Sequence, residues 1–127
     1  MNESKRMTIQ DIVKHDCERA GASFETVYVN LHNAIQNNSA RVFRSGNTLF
    51  TSEIQEPKVS EVHMFTADKA NQLVKAIREF VSAMKAAGFV KLITNTGDES
   101  LSLLLKRANV NFTSMPAQNG FQIEIEV

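Results

Sequence analysis

The chain has 127 residues and a mass of 14.2 kDa, and its 14 lysine and arginine residues balance its 14 aspartate and glutamate residues. This length fits a single domain, residues 1–127 with a loose terminus at 1–7, and the balanced charge argues against a nucleic-acid-binding protein. No apolar run is long enough to span a bilayer and the polar start is no secretory signal, so we expect no membrane association and a cytoplasmic location.

Two amphipathic helices are predicted at the start of the chain. In the segment TIQDIVKHDCERAG apolar residues recur at helical spacing, with Thr8 as a plausible N-cap and Gly21 as a stop signal. Ser23 is suited to cap a second helix, which the polar stretch QNNS ends. Cys17, the only cysteine, falls in the first helix. We expect an inert thiol, because His15 is two positions away and points elsewhere on a helix.

Three strands are predicted next. The segments ARVFR and TLFTSEI flank the tight turn SGN, which indicates a β-hairpin. The run VSEVHMFTA follows as a third strand, whose side chains alternate between two faces. One face carries Val59, Glu61, His63 and Phe65. Glu61 and His63 are therefore expected to lie side by side on one surface of a sheet.

A long helix, a strand, a short helix and a final hairpin complete the pattern. Asp68 is predicted to cap the long helix, and Gly88 to end it in the left-handed conformation. The strand VKLITN is nearly all apolar, which is typical of a strand covered on both faces. Asp98 is predicted to cap the short helix, Asn109 to end it, and the turn PAQNG to join the last two strands. The order ααβββαβαββ predicts one mixed α/β domain, with a central mixed sheet flanked by helices.

The element order from Ser23 to Val127 resembles the GNAT acetyltransferase superfamily. The segment KLITNTGDESLSLLLKRANVNF is similar to the family's strand–helix–strand segment. Asn95 fills the place of the asparagine that ends the family's strand, so the resemblance implies that it is a cofactor-binding residue, while Asn109 stands where glycine is usual. The small size and the segment MFTADKANQLVKAIREFVSAMK resemble phage-encoded GNAT-like proteins more closely still.

The resemblance also implies where acetyl-CoA or coenzyme A would bind. Two neighbouring strands would separate to admit the acyl-thioester arm. Backbone N–H groups near Met64 and Phe65 would bind the thioester oxygen. Lys69 and the N–H groups of Ala70 and Asn71, at the start of the long helix, would hold the pyrophosphate.

The loop FTADKANQL departs from the family pattern, because it has no glycine and no arginine. If Asp68 caps the helix, its carboxylate occupies the helix N–H groups and repels a phosphate. Lys69 and the free amides would offset that repulsion only in part. The loop therefore favours a degenerate acyl-CoA site.

Acetyl transfer to an amine needs a base, and Glu61 and His63 are the candidates, with Glu53 as a weaker one. The other interpretation is an ordinary hydrogen-bonded pair on the sheet surface. The family's acid is often a tyrosine on the short helix, but the matching position here is Leu105. Tyr28, the only tyrosine, lies on the second helix. No spacing of histidine, aspartate and glutamate indicates a metal site.

Two functions stay open at this point. The first is a phage-type, non-catalytic or weakly active GNAT-like protein that binds other proteins or forms part of a virion, in the host cytoplasm or the virion itself. The second is an active acetyl-CoA-dependent N-acyltransferase that acts on an amine. The sequence identifies no amine substrate, protein partner or oligomeric state.

Overall fold

The computed structural model of the chain describes residues 6–97 and 99–127. Its helices and strands follow the predicted order, which is confirmed. The helices are α1 (Ile9–Ala20), α2 (Phe24–Gln36), α3 (Ala70–Ala86) and α4 (Ser100–Arg107). The strands are β1 (Arg41–Ser45), β2 (Thr48–Glu56), β3 (Val59–Thr66), β4 (Lys91–Thr96), β5 (Asn111–Ala117) and β6 (Gly120–Glu126). Among the described helices, none is both long and apolar enough to cross a lipid bilayer.

Local capping signals explain where several helices begin and end. The hydroxyls of Thr8 and Ser23 each accept a hydrogen bond from the backbone N–H three residues later, at 3.0 and 3.4 Å, as predicted. Gly88 and Asn109 follow α3 and α4 with φ angles of 97° and 59°, which confirms both left-handed exits. The cap predicted at Asp98 lies outside the described residues.

The described strands form one mixed sheet in the order β1-β2-β3-β4-β6-β5. Neighbouring strands run antiparallel, except for β3 and β4, which are parallel. The chain passes from β3 to β4 through α3, and β6 inserts between β4 and β5. Helices α3 and α4 pack on one face, and α1 and α2 pack on the other. The prediction of a mixed sheet flanked by helices is therefore confirmed.

Each helical layer buries its own apolar cluster against the sheet. Under α3 and α4, the rings of Phe50 and Phe80 stack with their centroids 4.3 Å apart. Under α1 and α2, the side chains of Ile12, Val13 and Leu49 are fully buried. Burial of each such side chain contributes about 1.5–3 kcal/mol. Strand β2 is therefore packed between the two layers, and it pairs with β3, the strand that carries the candidate base.

Strand β4 is covered on one face only, so the prediction that both faces are covered is wrong. Leu92 and Thr94 are buried on the side of α3 and α4, whereas Asn95 on the other side is exposed. The α1–α2 cluster takes its sheet residues from β1, β2 and β3, and these two helices do not extend that cluster to β4. On this side of the sheet, part of the surface formed by β3, β4 and β6 is therefore left open.

The predicted loose terminus is anchored at its last residue. The Met7 N–H donates to Asn47 Oδ1 at 3.1 Å, and Arg44 Nη2 donates to the Met7 carbonyl at 2.6 Å. Met7 also packs against the α1–α2 cluster. Residues 1–5 of that predicted terminus lie outside the described residues.

Candidate functional site

Strands β3 and β4 separate along their length and leave a wedge-shaped gap in the sheet. They pair in parallel at three positions, from Val59–Lys91 to Glu61–Ile93, and among the described residues they do not pair beyond that point. Strand β3 keeps its other partner, β2, as far as Thr66. The gap opens into a cleft of about 1050 Å³, lined by the ends of β3 and β4, the start of α3, α4 and the end of α1.

The direction of the backbone N–H groups decides which of them face the gap. The Thr66 N–H points away from β2 and donates to Asp16 Oδ1 of α1 at 3.2 Å. Since N–H groups alternate along a strand, the Met64 N–H also points into the gap, and the Phe65 N–H points toward Leu49 on β2. Of the two amides predicted to bind a thioester oxygen, that of Met64 therefore has the suitable direction.

Asp68 does not cap α3, so the predicted cap is wrong. The N-cap is Lys69, and the Asp68 carboxylate turns back to the β1–β2 hairpin. Its Oδ2 accepts hydrogen bonds from the Asn47 N–H at 2.9 Å and from Thr48 Oγ1 at 2.8 Å. The Asp68 N–H donates to Thr66 Oγ1 at 3.0 Å, which fixes the residue in this orientation. Because two donors of the β1–β2 hairpin bind the Asp68 carboxylate, this carboxylate does not cap α3.

The first turn of α3 keeps its backbone N–H groups available. The Lys69 N–H donates to Gln72 Oε1 at 3.4 Å, and the Leu73 N–H donates to the Lys69 carbonyl at 2.9 Å. Within residues 6–97 and 99–127, no group accepts a hydrogen bond from the N–H of Ala70 or Asn71. Two such groups at the positive end of a helix dipole form a site that suits a phosphate oxygen.

Two arginines that sequence reasoning missed line this cleft, together with Asp16 and Asp68. Arg107 of α4 donates to Asn71 Oδ1 at 2.8 Å, so its guanidinium lies beside the first turn of α3. Arg19 of α1 also lines the cleft and pairs with Asp16 at 2.7 Å. Arg78 Nη2 donates to the Arg107 carbonyl at 3.0 Å and ties α4 to α3. In the sequence, only a short basic pair at the end of α4 pointed to Arg107. Its contact with Asn71 leaves no local pattern, because the two residues are 36 positions apart.

Glu61 and His63 lie together on the open face of β3. The distance from His63 Nε2 to Glu61 Oε2 is 3.8 Å. His63 lines the large cleft, whereas Glu61 lines a second pocket of about 410 Å³. Glu53 lies directly opposite Glu61 on β2. The two candidate bases therefore lie where two pockets meet, rather than in one common cleft.

The remaining predicted residues are divided between the cleft and the core. Asn95 is exposed at the end of β4 and lines the cleft. Leu105, in the place of the family's tyrosine, is 1% exposed and packs in the core under α3 and α4. Helix α4 turns Leu101 and Leu104 toward the cleft instead. Tyr28 lies on α2, in the α1–α2 cluster.

Cys17 is buried in the α1–α2 cluster, at 2% exposure. Burial raises the pKa of its thiol, and the neighbouring Asp16 carboxylate raises that pKa further. A thiol with a raised pKa has less of the nucleophilic thiolate at neutral pH. These observations fit the inert role expected for Cys17.

Replacing Asp68 with alanine is expected to lower the free energy of unfolding by about 2–3 kcal/mol, because two hydrogen bonds to a charged carboxylate are lost. Urea denaturation measures this change. The control is Asp68→Asn, whose amide oxygen still accepts from both donors and should cost about 1 kcal/mol or less. Equal stability of the alanine variant and the unmodified chain would contradict a structural role for this carboxylate.

The fold is similar to those of several solved acetyltransferases. The microcin C7 self-immunity acetyltransferase MccE, in complex with acetyl-CoA and AMP, aligns with a TM-score of 0.61 over 94% of this chain and 84% of its own, at 8% identity. A chimera of the spermidine N-acetyltransferase SpeG from Vibrio cholerae and hSSAT gives a TM-score of 0.59 over 94% and 91%, at 11% identity. The ribosomal-protein-alanine N-acetyltransferase from Brucella melitensis gives 0.56 over 84% and 80%, at 14% identity.

Comparisons of overall sequence, in contrast, find no match. No protein-family model and no curated protein sequence matches the chain. At identities of 8–14% the structural likeness concerns the fold. The chain has the α/β fold of the GNAT acetyltransferases, with one mixed six-stranded sheet and helices on both faces.

Proposed function

We propose that this protein is an acyl-CoA-dependent N-acyltransferase that acts on an amine. One observation carries the proposal: the gap between β3 and β4 leads directly to the unbonded N–H groups at the start of α3. The gap suits an extended acyl-thioester arm, and the helix start suits the diphosphate of coenzyme A. Two structural neighbours were solved with coenzyme A or acetyl-CoA, which supports the same use of the cleft here.

Different groups along the cleft bind different parts of an acyl-CoA. The Met64 N–H is directed to donate to the thioester oxygen, where negative charge develops during transfer. The N–H groups of Ala70 and Asn71 donate to the diphosphate, and Arg107 adds a guanidinium beside them. Asn95 lines the opposite wall of the cleft. When bound, acetyl-CoA supplies an activated acyl group.

The Glu61–His63 pair takes the proton of the incoming amine, because an amine attacks a thioester only in its neutral form. His63 lines the cleft and is assigned as the base. Glu61 stabilises the imidazolium that results, since its carboxylate lies 3.8 Å from the ring nitrogen. An amine that enters through the smaller pocket on the open sheet face meets this pair before it reaches the gap.

The leaving thiolate has no tyrosine to protonate it, because Leu105 is buried in the core. A thiolate is a good leaving group, so water suffices as its proton source. We therefore expect transfer without a dedicated acid, at a lower rate than an enzyme with one, since a positioned acid contributes roughly 10²–10⁴-fold.

A non-catalytic role, as a protein-binding module or a phage virion component with a degenerate site, is the second candidate. The buried Leu105 and the lack of glycine in the α3 loop favour it. The expected block of the helix start by Asp68 no longer supports it, because that carboxylate is bound to the hairpin turn. We therefore rank catalysis first.

Two measurements on the purified protein separate these functions. Acetyl-CoA and coenzyme A are titrated calorimetrically, and release of coenzyme A thiol is then followed with a panel of primary amines. Saturable binding together with amine-dependent thiol release is the expected result. No heat and no shift of the melting temperature at millimolar ligand would contradict any acyl-CoA function.

The Glu61→Gln and His63→Gln variants test the base. We expect each to reduce the rate of thiol release by about 10²–10⁴-fold, the range for general base catalysis, with acetyl-CoA affinity unchanged. The measurement is steady-state thiol release, with calorimetry of acetyl-CoA as the binding readout. Unchanged rates in both variants would place the base elsewhere.

A further inference from the structure

The side chains of Glu53, Glu61 and His63 form a compact group on the open face of the sheet. The atoms that could bind a metal ion, two carboxylate oxygens and one imidazole nitrogen, all lie within 4.8 Å of one another. Glu53 and Glu61 are directly opposite on β2 and β3, and His63 follows two residues along β3 on the same face. We propose that these three side chains bind a divalent first-row transition-metal ion.

The negative charges of Glu53 and Glu61 have no lysine or arginine partner among the described residues. Like charges directly opposite on neighbouring strands destabilise a sheet. Within the part of the chain that the structure describes, the one ion-pair partner of Glu61 is His63. Glu124 on the same face, in contrast, has Lys91 at 3.5 Å. A bound divalent ion neutralises the Glu53–Glu61 repulsion.

The geometry is close to that of a metal site. Carboxylate oxygen and imidazole nitrogen bind Zn²⁺ at about 2.0–2.2 Å, which sets ligand atoms roughly 3.4 Å apart in a tetrahedral site. The His63–Glu61 distance of 3.8 Å is already near this value. Rotation of the Glu53 side chain would bring its carboxylate oxygen to a similar distance from the other two ligand atoms. The backbones of β2 and β3 stay fixed inside the sheet.

The chemistry of the donors narrows the kind of ion. An imidazole nitrogen favours Zn²⁺, Co²⁺, Ni²⁺ or Fe²⁺ over Mg²⁺ and Ca²⁺, which prefer oxygen ligands. Three protein ligands on an open surface leave a position for water or another ligand. Gln55 Nε2 donates to Glu61 Oε1 at 3.2 Å and so directs the other carboxylate oxygen toward His63.

A metal at this position also gives the acyltransferase a means of control, which rests on the function proposed above. The lone pairs that accept the proton of the amine are the same ones that bind the ion. Occupancy therefore blocks the base, and we expect Zn²⁺ to inhibit transfer and a chelator to restore it. Binding of the metal itself does not depend on that activity.

Cobalt provides the test, because protein-bound Co²⁺ is seen directly by visible absorption. Co²⁺ is titrated into the chelator-treated protein without any acyl donor. We expect a saturable band at one ion per chain, displaced by Zn²⁺. The Glu53→Gln and His63→Gln variants should bind at least about tenfold more weakly, since even the loss of outer-shell partners costs 10–100-fold. Glu126→Gln removes the same charge from β6, outside the group, and should bind as the unmodified chain does.

The outcomes separate this proposal from the acyltransferase one. No band at millimolar Co²⁺, or equal affinity in every variant, overturns the metal site. Calorimetry of acetyl-CoA on the same samples reports the acyl-CoA site independently. Metal binding without acetyl-CoA binding supports the metal site alone, and the reverse result supports the acyl-CoA site alone. Glutamine is close in size to glutamate, so circular dichroism should show the variants folded.

Discussion

Replacing Ala70 with proline is expected to weaken binding of acetyl-CoA by about 10- to 100-fold and to leave the fold intact. Proline removes one N–H at the start of α3, and a hydrogen bond to a charged group contributes about 1.5–3 kcal/mol. The position tolerates proline, because Ala70 is the first helical residue and donates no helical hydrogen bond. Lys69 before it has φ −79° and ψ 166°, the extended conformation that precedes proline. Calorimetry measures the change in affinity.

The matched control for this prediction is Ala70→Ser, which adds a hydroxyl and keeps the N–H. Its acetyl-CoA affinity should stay within about threefold of the unmodified chain, a difference of less than 1 kcal/mol. Melting temperatures of both variants show that the helix still forms. If Ala70→Pro binds acetyl-CoA as tightly as Ala70→Ser does, the amides of α3 do not hold the diphosphate.

Replacing Gly120 with alanine is expected to lower the free energy of unfolding by about 3 kcal/mol or more. An added Cβ would lie 2.1 Å from the Thr96 carbonyl oxygen and 3.0 Å from the Gly97 Cα, and both contacts are with backbone. Gly120 also has a φ of 151°, which side chains rarely adopt. Strain and a clash of this kind each cost about 1–3 kcal/mol. Urea denaturation gives the change, and the melting temperature should fall by about 10 °C.

Gly97 provides the control, because it lies against Gly120 in space but has open space around its own Cβ position. Nothing lies within 4 Å of a Cβ added there, and its φ is not in the left-handed region. Gly97→Ala should therefore change the free energy of unfolding by less than about 1 kcal/mol. Equal effects of the two substitutions would show that the close approach of β4 and β6 does not limit stability.

Signals between near neighbours in the chain predicted most of the fold. The caps at Thr8 and Ser23 depend on N–H groups three residues away, and the exit at Gly88 depends on its own backbone angle. Alternation placed Glu61 and His63 on one face for the same reason. Successive side chains of a strand point to opposite faces of the sheet, so two residues that are two positions apart lie on the same face.

The errors all involve partners that are distant in sequence. Asp68 has the local features of a cap, but Thr48, 20 positions earlier, donates to its carboxylate. The apolar texture of β4 suggested two covered faces, because nothing in that segment shows how far α1 and α2 extend over the sheet. Arg107 reaches Asn71 across 36 positions, and no local pattern marks that contact. The candidate site consists largely of such contacts, so the sequence predicted less of it than of the fold.

The tethering of Asp68 has a consequence for how such loops change during evolution. Glycine-rich sequences are one way to expose amides to a phosphate. Here the amides at the start of α3 stay exposed beside an acidic residue, because Asn47 and Thr48 bind its carboxylate. Searches for glycine patterns would pass over a loop of this kind. Conversely, a mutation in the hairpin turn that removes these donors would free the carboxylate to approach the helix. If α3 binds a diphosphate as proposed, such a change about 20 residues upstream would weaken that binding, with every residue of the loop still in place.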